Sequence, residues 1–507
     1  MTLTTSPLPA TATPRSRAQQ WLLTRLRQVL DRAEMSLLTA DLESYATDRS
    51  GHRLPGSALA VLRPSTTAAV QAILRVAEAA GVTVVPRGAG TGLSGGASVP
   101  DGALVLSTER LNSIVRIDPD NEIAVVQAGV ITADVDTAAA EFGLMYAPDP
   151  ASHQISTIGG NIATNAGGLR CAKYGVTGES ILGLTVVLAD GSLLRTGRQT
   201  IKGVVGYDLT ALFVGAEGTL GVVVEATLRL RPRPIRTRTA VAFFPSVAAA
   251  AAGVTGIVAS RAQPSVLELL DAGALSSIDR AQGTDLLGRG AALLIAQTDG
   301  YGADAEIDAV AGALATAGGA VEQLDDAGAE WYLYLRRSGR GDWSGHWAVG
   351  EDVAVPRSAL APMLEAINEI GRRHGLDVAV VAHAGDGNLH PLLSVAKRPG
   401  DGGPPPALHD AADELVRAAI RLGGTISGEH GVGITKRTWL DAEIGGASVA
   451  LQRRLKASFD PRGILNPHTW LAQQPVAAPQ EGQSNGSQRA GNRLTAVALA
   501  AYGDDRS

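Results

Sequence analysis

Three glycine-rich segments separated by strand-like stretches are the feature that most constrains this chain. The first runs from Pro86 to Gly96 with glycines at 88, 90, 92, 95 and 96, and the others span 157–168 and 214–221. Because glycine has no Cβ and adopts positive φ, backbone N–H groups in such loops can converge on an anion. A pyrophosphate suits this arrangement, and three such loops predict a long ligand that contacts each in turn.

The first segment also contains a short dinucleotide pattern, because residues 90–95 match G-x-G-x-x-G. That pattern indicates a nicotinamide site only where a helix follows it within a strand-helix-strand unit. Residues 97–101 are turn-like and 103–106 form another apolar stretch. We therefore expect no nicotinamide-type Rossmann site. A glycine turn without a ligand is the alternative, and Arg87 and Thr91 within the segment disfavour it.

Composition excludes several classes of protein. The chain has 507 residues, enough for two large domains or about three smaller ones. Its net charge of −6, without a polybasic patch, argues against nucleic acid as a partner. The single cysteine, Cys171, excludes an intramolecular disulfide and a multi-thiolate metal site. A soft metal would therefore require histidine ligands.

The sequence pattern divides the chain into four parts. We predict a disordered tail and a first helix over 1–44, and one large domain over 45–232 that ends in a proline-rich stretch. An α+β unit follows over 233–471, and a polar, disordered tail over 472–507. The longest uncharged run, 239–260, is predicted as a strand (240–244) and a helix (247–260) rather than a transmembrane span.

Two histidines flank an Asp-Gly dipeptide in the second half. Apolar runs on both sides of Asp386 and Gly387 predict a hairpin with a two-residue turn. In that register His383 lies opposite His390, with Cβ atoms about 5 Å apart, so both imidazoles can reach one metal ion. The segment 428–433 offers Glu429 and His430, and spacing alone leaves open which of these is the third ligand. Two histidines and one carboxylate leave coordination positions open for a substrate.

These motifs together resemble one family. The segments that carry the resemblance are Pro86-Arg-Gly-Ala-Gly-Thr-Gly-Leu-Ser-Gly-Gly, Pro148-Asp-Pro, Thr157-Ile-Gly-Gly-Asn, Asn165-Ala-Gly-Gly, Gly206-Tyr-Asp-Leu, Gly215-Ala-Glu-Gly-Thr-Leu-Gly, His383-Ala-Gly-Asp-Gly-Asn-Leu-His and Gly428-Glu-His-Gly. They are similar to those of the FAD-linked oxidases, and most similar to the glycolate oxidase flavin subunits and the D-lactate and D-2-hydroxyglutarate dehydrogenases. The resemblance covers roughly 45–470.

The resemblance implies an α+β fold with a two-subdomain FAD-binding domain of the PCMH or vanillyl-alcohol-oxidase type. A ferredoxin-like α+β substrate domain and a C-terminal helical segment would follow it. No histidine lies between Arg53 and Ser152, so we expect noncovalent FAD, with His153 and Cys171 as the alternative tethers. The implied FAD-binding residues are Pro86, Arg87, Gly88, Ala89, Gly90, Thr91, Gly92, Ser94, Asp149, Thr157, Gly160, Asn161, Ala166, Gly168, Glu217, Gly218, Val223 and Asn466.

The resemblance also implies an activity. It is the oxidation of a small D-2-hydroxy acid to the 2-oxo acid, with hydride passing to flavin N5. By analogy, His383, His390 and Glu429 bind a divalent ion, expected to be zinc, and His430 is the acid/base. Arg336 or Arg337 would bind the substrate carboxylate. Members that act on dicarboxylates place a lysine before the Val-Pro strand, where this chain has Gly350 and Glu351. That difference favours lactate, glycolate or another monocarboxylate.

Two other functions are compatible with the same motifs. One is a transferase without net redox, like the FAD-dependent ether-lipid synthase, and the other is a flavin-binding electron-transfer subunit. The electron acceptor of a dehydrogenase could be a quinone, a cytochrome or an electron-transfer flavoprotein. We expect a cytoplasmic protein. Peripheral membrane contact, an organelle if the arginine-rich N-terminus is a transit peptide, and a homodimer are left open.

Overall fold

The structure is a computed structural model, and it describes residues 16–200, 202–338 and 343–471. The tails predicted at the two ends of the chain lie outside the described residues. The elements alternate between helices and mainly antiparallel sheets, so the predicted α+β class is confirmed.

The first half contains seven helices and eleven strands within the described residues. The helices are α1 (Arg17–Val29), α2 (Thr39–Ser44), α3 (Thr67–Ala80), α4 (Thr132–Ala140), α5 (Ile158–Thr164), α6 (Cys171–Tyr174) and α7 (Leu209–Phe213). The strands are β1 (Met35–Ser36), β2 (Ala60–Leu62), β3 (Val84–Arg87), β4 (Leu104–Ser107), β5 (Ile114–Asp118), β6 (Ile123–Gln127), β7 (Leu144–Met145), β8 (Ile181–Val187), β9 (Leu193–Gly197), β10 (Val222–Arg229) and β11 (Arg231–Pro232).

These strands form a four-stranded sheet in the order β1-β2-β4-β3, a five-stranded sheet in the order β5-β6-β10-β8-β9, and the pair β11-β7. Helix α3 connects β2 to the parallel strand β3. It begins where the Thr66 hydroxyl accepts the N–H of Ala69, and it ends at Gly81, whose φ is +64°. Its buried face, which includes Ile73 and Leu74, packs against the first sheet and fixes where β3 delivers the first glycine loop.

The second half is built on one large sheet. Its strands are β12 (Thr237–Phe244), β13 (Val266–Asp271), β14 (Ala292–Asp299), β15 (Ala320–Leu324), β16 (His346–Gly350), β17 (Val353–Ala354), β18 (Asp377–His383) and β19 (Asn388–Ala396). Its helices are α8 (Val247–Ser260), α9 (Ala272–Gln282), α10 (Ala303–Thr316), α11 (Asp326–Ser338), α12 (Leu360–His374), α13 (Pro406–Arg421) and α14 (Leu440–Phe459), the last interrupted at Gly445. The sheet order is β15-β12-β14-β13-β18-β19-β16, with β17 also paired to β19.

The uncharged run 239–260 forms the strand and helix that the sequence predicts. Helix α8 spans Val247–Ser260 as expected, and the Ser246 hydroxyl caps it by accepting the N–H of Ala249. Its alanine-rich surface packs in the core beneath the large sheet. Among the described residues, no helix has both the length and the apolar character needed to cross a bilayer.

The predicted register of the histidine hairpin is wrong. His383 pairs with Asn388, and His390 pairs with Val381, so a four-residue turn replaces the predicted two-residue turn. The backbone N–H groups of Asp386 and Gly387 both donate to the carbonyl of His383, and Gly387 has a φ of +87°. The two histidines are therefore diagonal neighbours on one face, and their ring centroids are still only 5.1 Å apart.

The last described segment returns to the first sheet. The backbone N–H of Val84 donates to the carbonyl of Ile464, and the N–H of Asn466 donates to the carbonyl of Val84. Ile464 and Leu465 belong to the same hydrophobic core as α1 and α3. The two halves of the chain are thus joined by a segment that follows α14.

Asp271 provides a test of packing in the large sheet away from the site. Its Oδ1 accepts the N–H groups of Ala274 and Val380, and burial raises the pKa of its carboxyl to about 6. Because the folded pKa exceeds the unfolded value, the folded protein favours the protonated carboxyl of Asp271. The resulting contribution to stability is complete below pH ~4 and is lost as the pH rises to about 6.

We expect Asp271→Asn, which keeps the accepting oxygen, to remove this pH dependence. Between pH 4 and pH 6 the free energy of unfolding of the wild type should fall relative to the variant, by an amount on the order of 1–3 kcal/mol. Urea denaturation at several pH values measures this difference. A difference that stays constant over this range would contradict the assignment.

Candidate functional site

One cavity brings the glycine loops of the first half together with the histidines of the second half. The predicted residues that line it are Pro86, Arg87, Gly88, Ala89, Gly90, Thr91, Gly92, Ser94, Asp149, Gly160, Asn161, Ala166, Gly168, Glu217, Gly218, Val223, Arg336, Arg337, His383, His390, Glu429 and His430. The cavity is thus long enough to run from the first loop to the hairpin.

The first glycine loop has the properties of an anion cradle. In the described part of the chain, no backbone N–H from Gly88 to Leu93 donates a hydrogen bond to a protein acceptor. Gly90 has a φ of +73°, and a Cβ there would lie 2.0 Å from the Arg87 guanidinium. Arg87 itself is largely buried, and its Nη1 donates to the carbonyl of Thr47. Unsatisfied N–H groups beside a fixed cation fit a pyrophosphate.

Thr157 and Asn466 lie outside the lining of the cavity, although the sequence predicts both as cofactor-binding residues. The Thr157 hydroxyl accepts the N–H of Gly160 and caps α5. The Asn466 side chain donates to the carbonyls of Gly96 and Glu217. Both residues therefore stabilise the glycine loops through hydrogen bonds, without lining the cavity themselves.

The two predicted alternative tethers for a flavin differ in position. His153 lines the cavity, whereas Cys171 does not. The Cys171 sulfur accepts the N–H of Gly168, and burial raises the pKa of its thiol far above the usual range. A protonated, buried thiol is a poor nucleophile, so the cavity suits a cofactor held without a bond to Cys171.

His383, His390 and Glu429 converge at one end of the cavity. Oε1 of Glu429 lies 3.6 Å from Nε2 of His383 and 3.2 Å from Nε2 of His390. Burial lowers the pKa of His390 to about 4, so that ring is neutral at pH 7, which is the form that coordinates a metal. The three ligand atoms lie within 4.8 Å of one another, a spacing that one ion could bridge.

Asp352 holds this cluster in place by accepting hydrogen bonds from the residues around it. Its Oδ2 accepts the Ser427 hydroxyl at 2.8 Å and the backbone N–H groups of Glu429 at 3.1 Å and His430 at 2.9 Å. Its Oδ1 accepts the Asn388 amide. Burial by itself raises a carboxyl pKa, but the neighbouring His430 and Lys436 side chains hold the pKa of Asp352 well below its usual range.

The same loop is also held from the glycine-rich side. The Ser94 hydroxyl donates to the carbonyls of His430 and Gly431. The Glu217 carboxylate accepts the N–H of Val432 at 2.8 Å and the N–H of Gly433 at 2.9 Å. The position of His430 therefore depends on contacts from both halves of the chain.

The two candidate arginines differ in burial. Arg336 is only 9% exposed, and its Nε donates to Glu268 at 2.5 Å, whereas Arg337 is exposed. Glu351 does not line the cavity. It is buried elsewhere, and its carboxylate lies 3.4 Å from the Lys436 ammonium. Its negative charge therefore does not face the substrate, and the monocarboxylate hypothesis rests only on the absence of a lysine from the segment 350–356.

Sequence reasoning missed the two buried carboxylates behind the histidines, Asp352 and Glu268. A signal was present for Glu268, which is a lone charge in the apolar strand Val-Leu-Glu-Leu-Leu (266–270). A buried charge in such a strand requires a partner, although its identity depends on long-range packing. For Asp352 the sequence holds no comparable signal.

Comparisons with known proteins agree with this geometry. Residues 58–197 match the family model described as FAD binding domain, and residues 233–469 match FAD linked oxidases, C-terminal domain. The chain is 41% identical to glycolate oxidase subunit GlcD of Bacillus subtilis over 82% of this chain and 89% of that protein. It is 36% identical to D-lactate dehydrogenase of Archaeoglobus fulgidus over 80% of this chain and 90% of that protein.

A solved structure with a similar fold is p-cresol methylhydroxylase with substrate bound. The TM-score is 0.72 at 17% identity, and the match covers 90% of this chain and 97% of that chain. This likeness supports the predicted two-subdomain FAD-binding fold.

The central place of Asp352 predicts a large effect of Asp352→Asn. Asp352 accepts every hydrogen bond that its side chain makes, and an amide in its place has only one accepting oxygen and lacks the negative charge that lies 3.9 Å from the Lys436 ammonium. We expect the free energy of unfolding at pH 7 to fall by about 3 kcal/mol in urea denaturation.

The matched control is Asp120→Asn on an exposed turn, which should change stability by less than about 0.5 kcal/mol. A loss at Asp352 no larger than that of the control would show that the carboxylate does not organise the loop.

Proposed function

Because the chain belongs to the FAD-linked oxidases, we propose that it is a FAD-dependent dehydrogenase that oxidises a small D-2-hydroxy monocarboxylic acid to the 2-oxo acid. The observation that carries this proposal is the single cavity that joins the glycine cradle to His383, His390, Glu429 and His430. Relatives named glycolate oxidase subunit and D-lactate dehydrogenase support the choice of a 2-hydroxy acid.

The donor set at the histidine end fits a divalent cation, and zinc is the proposed ion. Two imidazoles and one carboxylate leave coordination positions open for a hydroxyl and a carboxylate oxygen. His390, Asp352 and His430 form a second candidate set. The Asp352 oxygens, however, already accept hydrogen bonds from Asn388, Ser427 and the backbone of the loop. This arrangement favours Glu429 as the ligand and leaves His430 for proton transfer.

The residues around the cavity have different roles in the proposed reaction. When bound along the glycine loops, a flavin would supply the hydride acceptor, and a divalent cation held by His383, His390 and Glu429 would lower the barrier to ionising the substrate hydroxyl. Arg336 binds the substrate carboxylate, because its guanidinium is buried at the cavity and oriented by Glu268. His430 accepts the hydroxyl proton, since its ring stacks on His390 at a centroid distance of 5.2 Å and its backbone is held by Asp352.

Reduction of the flavin by substrate tests the proposed function. The purified yellow protein, mixed anaerobically with D-lactate or glycolate, should lose its flavin absorbance. D-2-hydroxyglutarate should act at least about tenfold more slowly, because the segment 350–356 contains no lysine that could pair with its second carboxylate. Metal analysis of the same sample should find about one divalent ion per chain. If no 2-hydroxy acid bleaches the flavin, the dehydrogenase assignment fails, and the transferase and the electron-transfer subunit become the favoured hypotheses.

His430→Ala tests the assignment of the base. Stopped-flow spectroscopy should show flavin reduction slowed by roughly 10² to 10⁴, while the flavin and metal contents stay at the wild-type level. His374→Ala serves as the control, because His374 lies on α12 and pairs with Glu414. A reduction rate for His430→Ala equal to that of the control would remove His430 from the mechanism.

A further inference from the structure

A buried carboxylate outside the cavity contacts two of the proposed functional residues at once. Glu268 lies in the middle of β13 and is fully buried, and it does not line the cavity. In the sheet it stands directly opposite His383 of the neighbouring strand β18. Its position is therefore set by the pairing of two central strands.

Each oxygen of Glu268 has its own partner. Oε1 lies 2.6 Å from Nδ1 of His383, and Oε2 accepts the Nε–H of Arg336 at 2.5 Å. The first contact makes Nδ1 the protonated ring nitrogen, so the lone pair of Nε2 faces Glu429. The second contact fixes one edge of the guanidinium, because Nε–H is a single donor in the plane of the group.

The charges point to the same role. The buried carboxylate of Glu268 pairs with both Arg336 and His383. Without Glu268, the guanidinium would face a cation bound at His383 with no charge between them, and repulsion would weaken both sites.

We propose that Glu268 is a positioning residue that couples the metal end of the cavity to the anchor for the substrate carboxylate. One rigid carboxylate sets both the tautomer of His383 and the placement of Arg336, so it fixes the separation between the cation and the carboxylate that a 2-hydroxy acid must span. This inference rests on the proposed function, because it assigns Arg336 to the substrate and His383 to a metal.

Glu268→Gln tests the coupling, because the amide keeps the shape of the side chain and removes its charge. We expect the dissociation constant for Zn²⁺, measured by competition with a chelator in the flavin-loaded protein, to rise about 10- to 100-fold. KM for D-lactate should rise at least about tenfold as well.

The matched control is Asp271→Asn, because Asp271 is a buried carboxylate on the same strand that accepts only backbone N–H groups. It should leave the Zn²⁺ affinity and the KM at their wild-type values. If Glu268→Gln binds Zn²⁺ and D-lactate as the control does, the inference is wrong.

Arg336→Met gives an independent test should Glu268→Gln fail to fold. It removes one positive charge from the shared carboxylate and leaves the contact with His383 in place. KM should rise at least about tenfold, whereas the Zn²⁺ affinity should stay equal or become tighter. Weaker Zn²⁺ binding in this variant would contradict the arrangement.

Failure of this inference differs from failure of the proposed function. A wild-type protein that neither binds Zn²⁺ nor is reduced by a 2-hydroxy acid would overturn the function itself. A wild-type protein that does both, combined with a Glu268→Gln variant of unchanged affinity and KM, would overturn only the role of Glu268.

Discussion

The site depends on one buried anion, the carboxylate of Asp352. A loop rich in glycine has little intrinsic preference for a single conformation, and the segment 428–433 needs an external constraint to present Glu429 and His430. Asp352 supplies that constraint by accepting two consecutive backbone N–H groups of the loop. The same carboxylate accepts the Asn388 amide, so it also joins the loop to the histidine hairpin. Side chains from separate stretches of sequence thus reach one end of a cavity.

The site is also where the two halves of the chain meet. Glu217 and Ser94 belong to glycine loops, yet their side chains hold the loop that carries His430. The segment after α14 packs into the first core and reinforces this junction. A flavin bound along the glycine loops would therefore lie against the residues proposed to act on the substrate. The proposed function therefore depends on the contacts between the two halves of the chain rather than on any one motif.

The sequence predicted the local elements well and their long-range partners poorly. Helix α8 spans the predicted residues because apolar periodicity and capping are local properties. The hairpin turn contains Asp386 and Gly387 as the sequence predicts, but it has four residues instead of two, and its Gly387 carbonyl accepts the N–H of the distant Val355. The roles of Asp352 and Glu268 could not be predicted, because their partners lie 36 to 115 residues away in the sequence.

The most direct test of the central claim is an anomalous diffraction map from crystals of the flavin-loaded protein grown with Zn²⁺. We expect one strong peak about 2.0–2.2 Å from Nε2 of His383, Nε2 of His390 and a carboxylate oxygen of Glu429, adjacent to density for the flavin ring. A protein that contains stoichiometric zinc but shows its peak elsewhere, or with the flavin ring distant from these three side chains, would contradict the account.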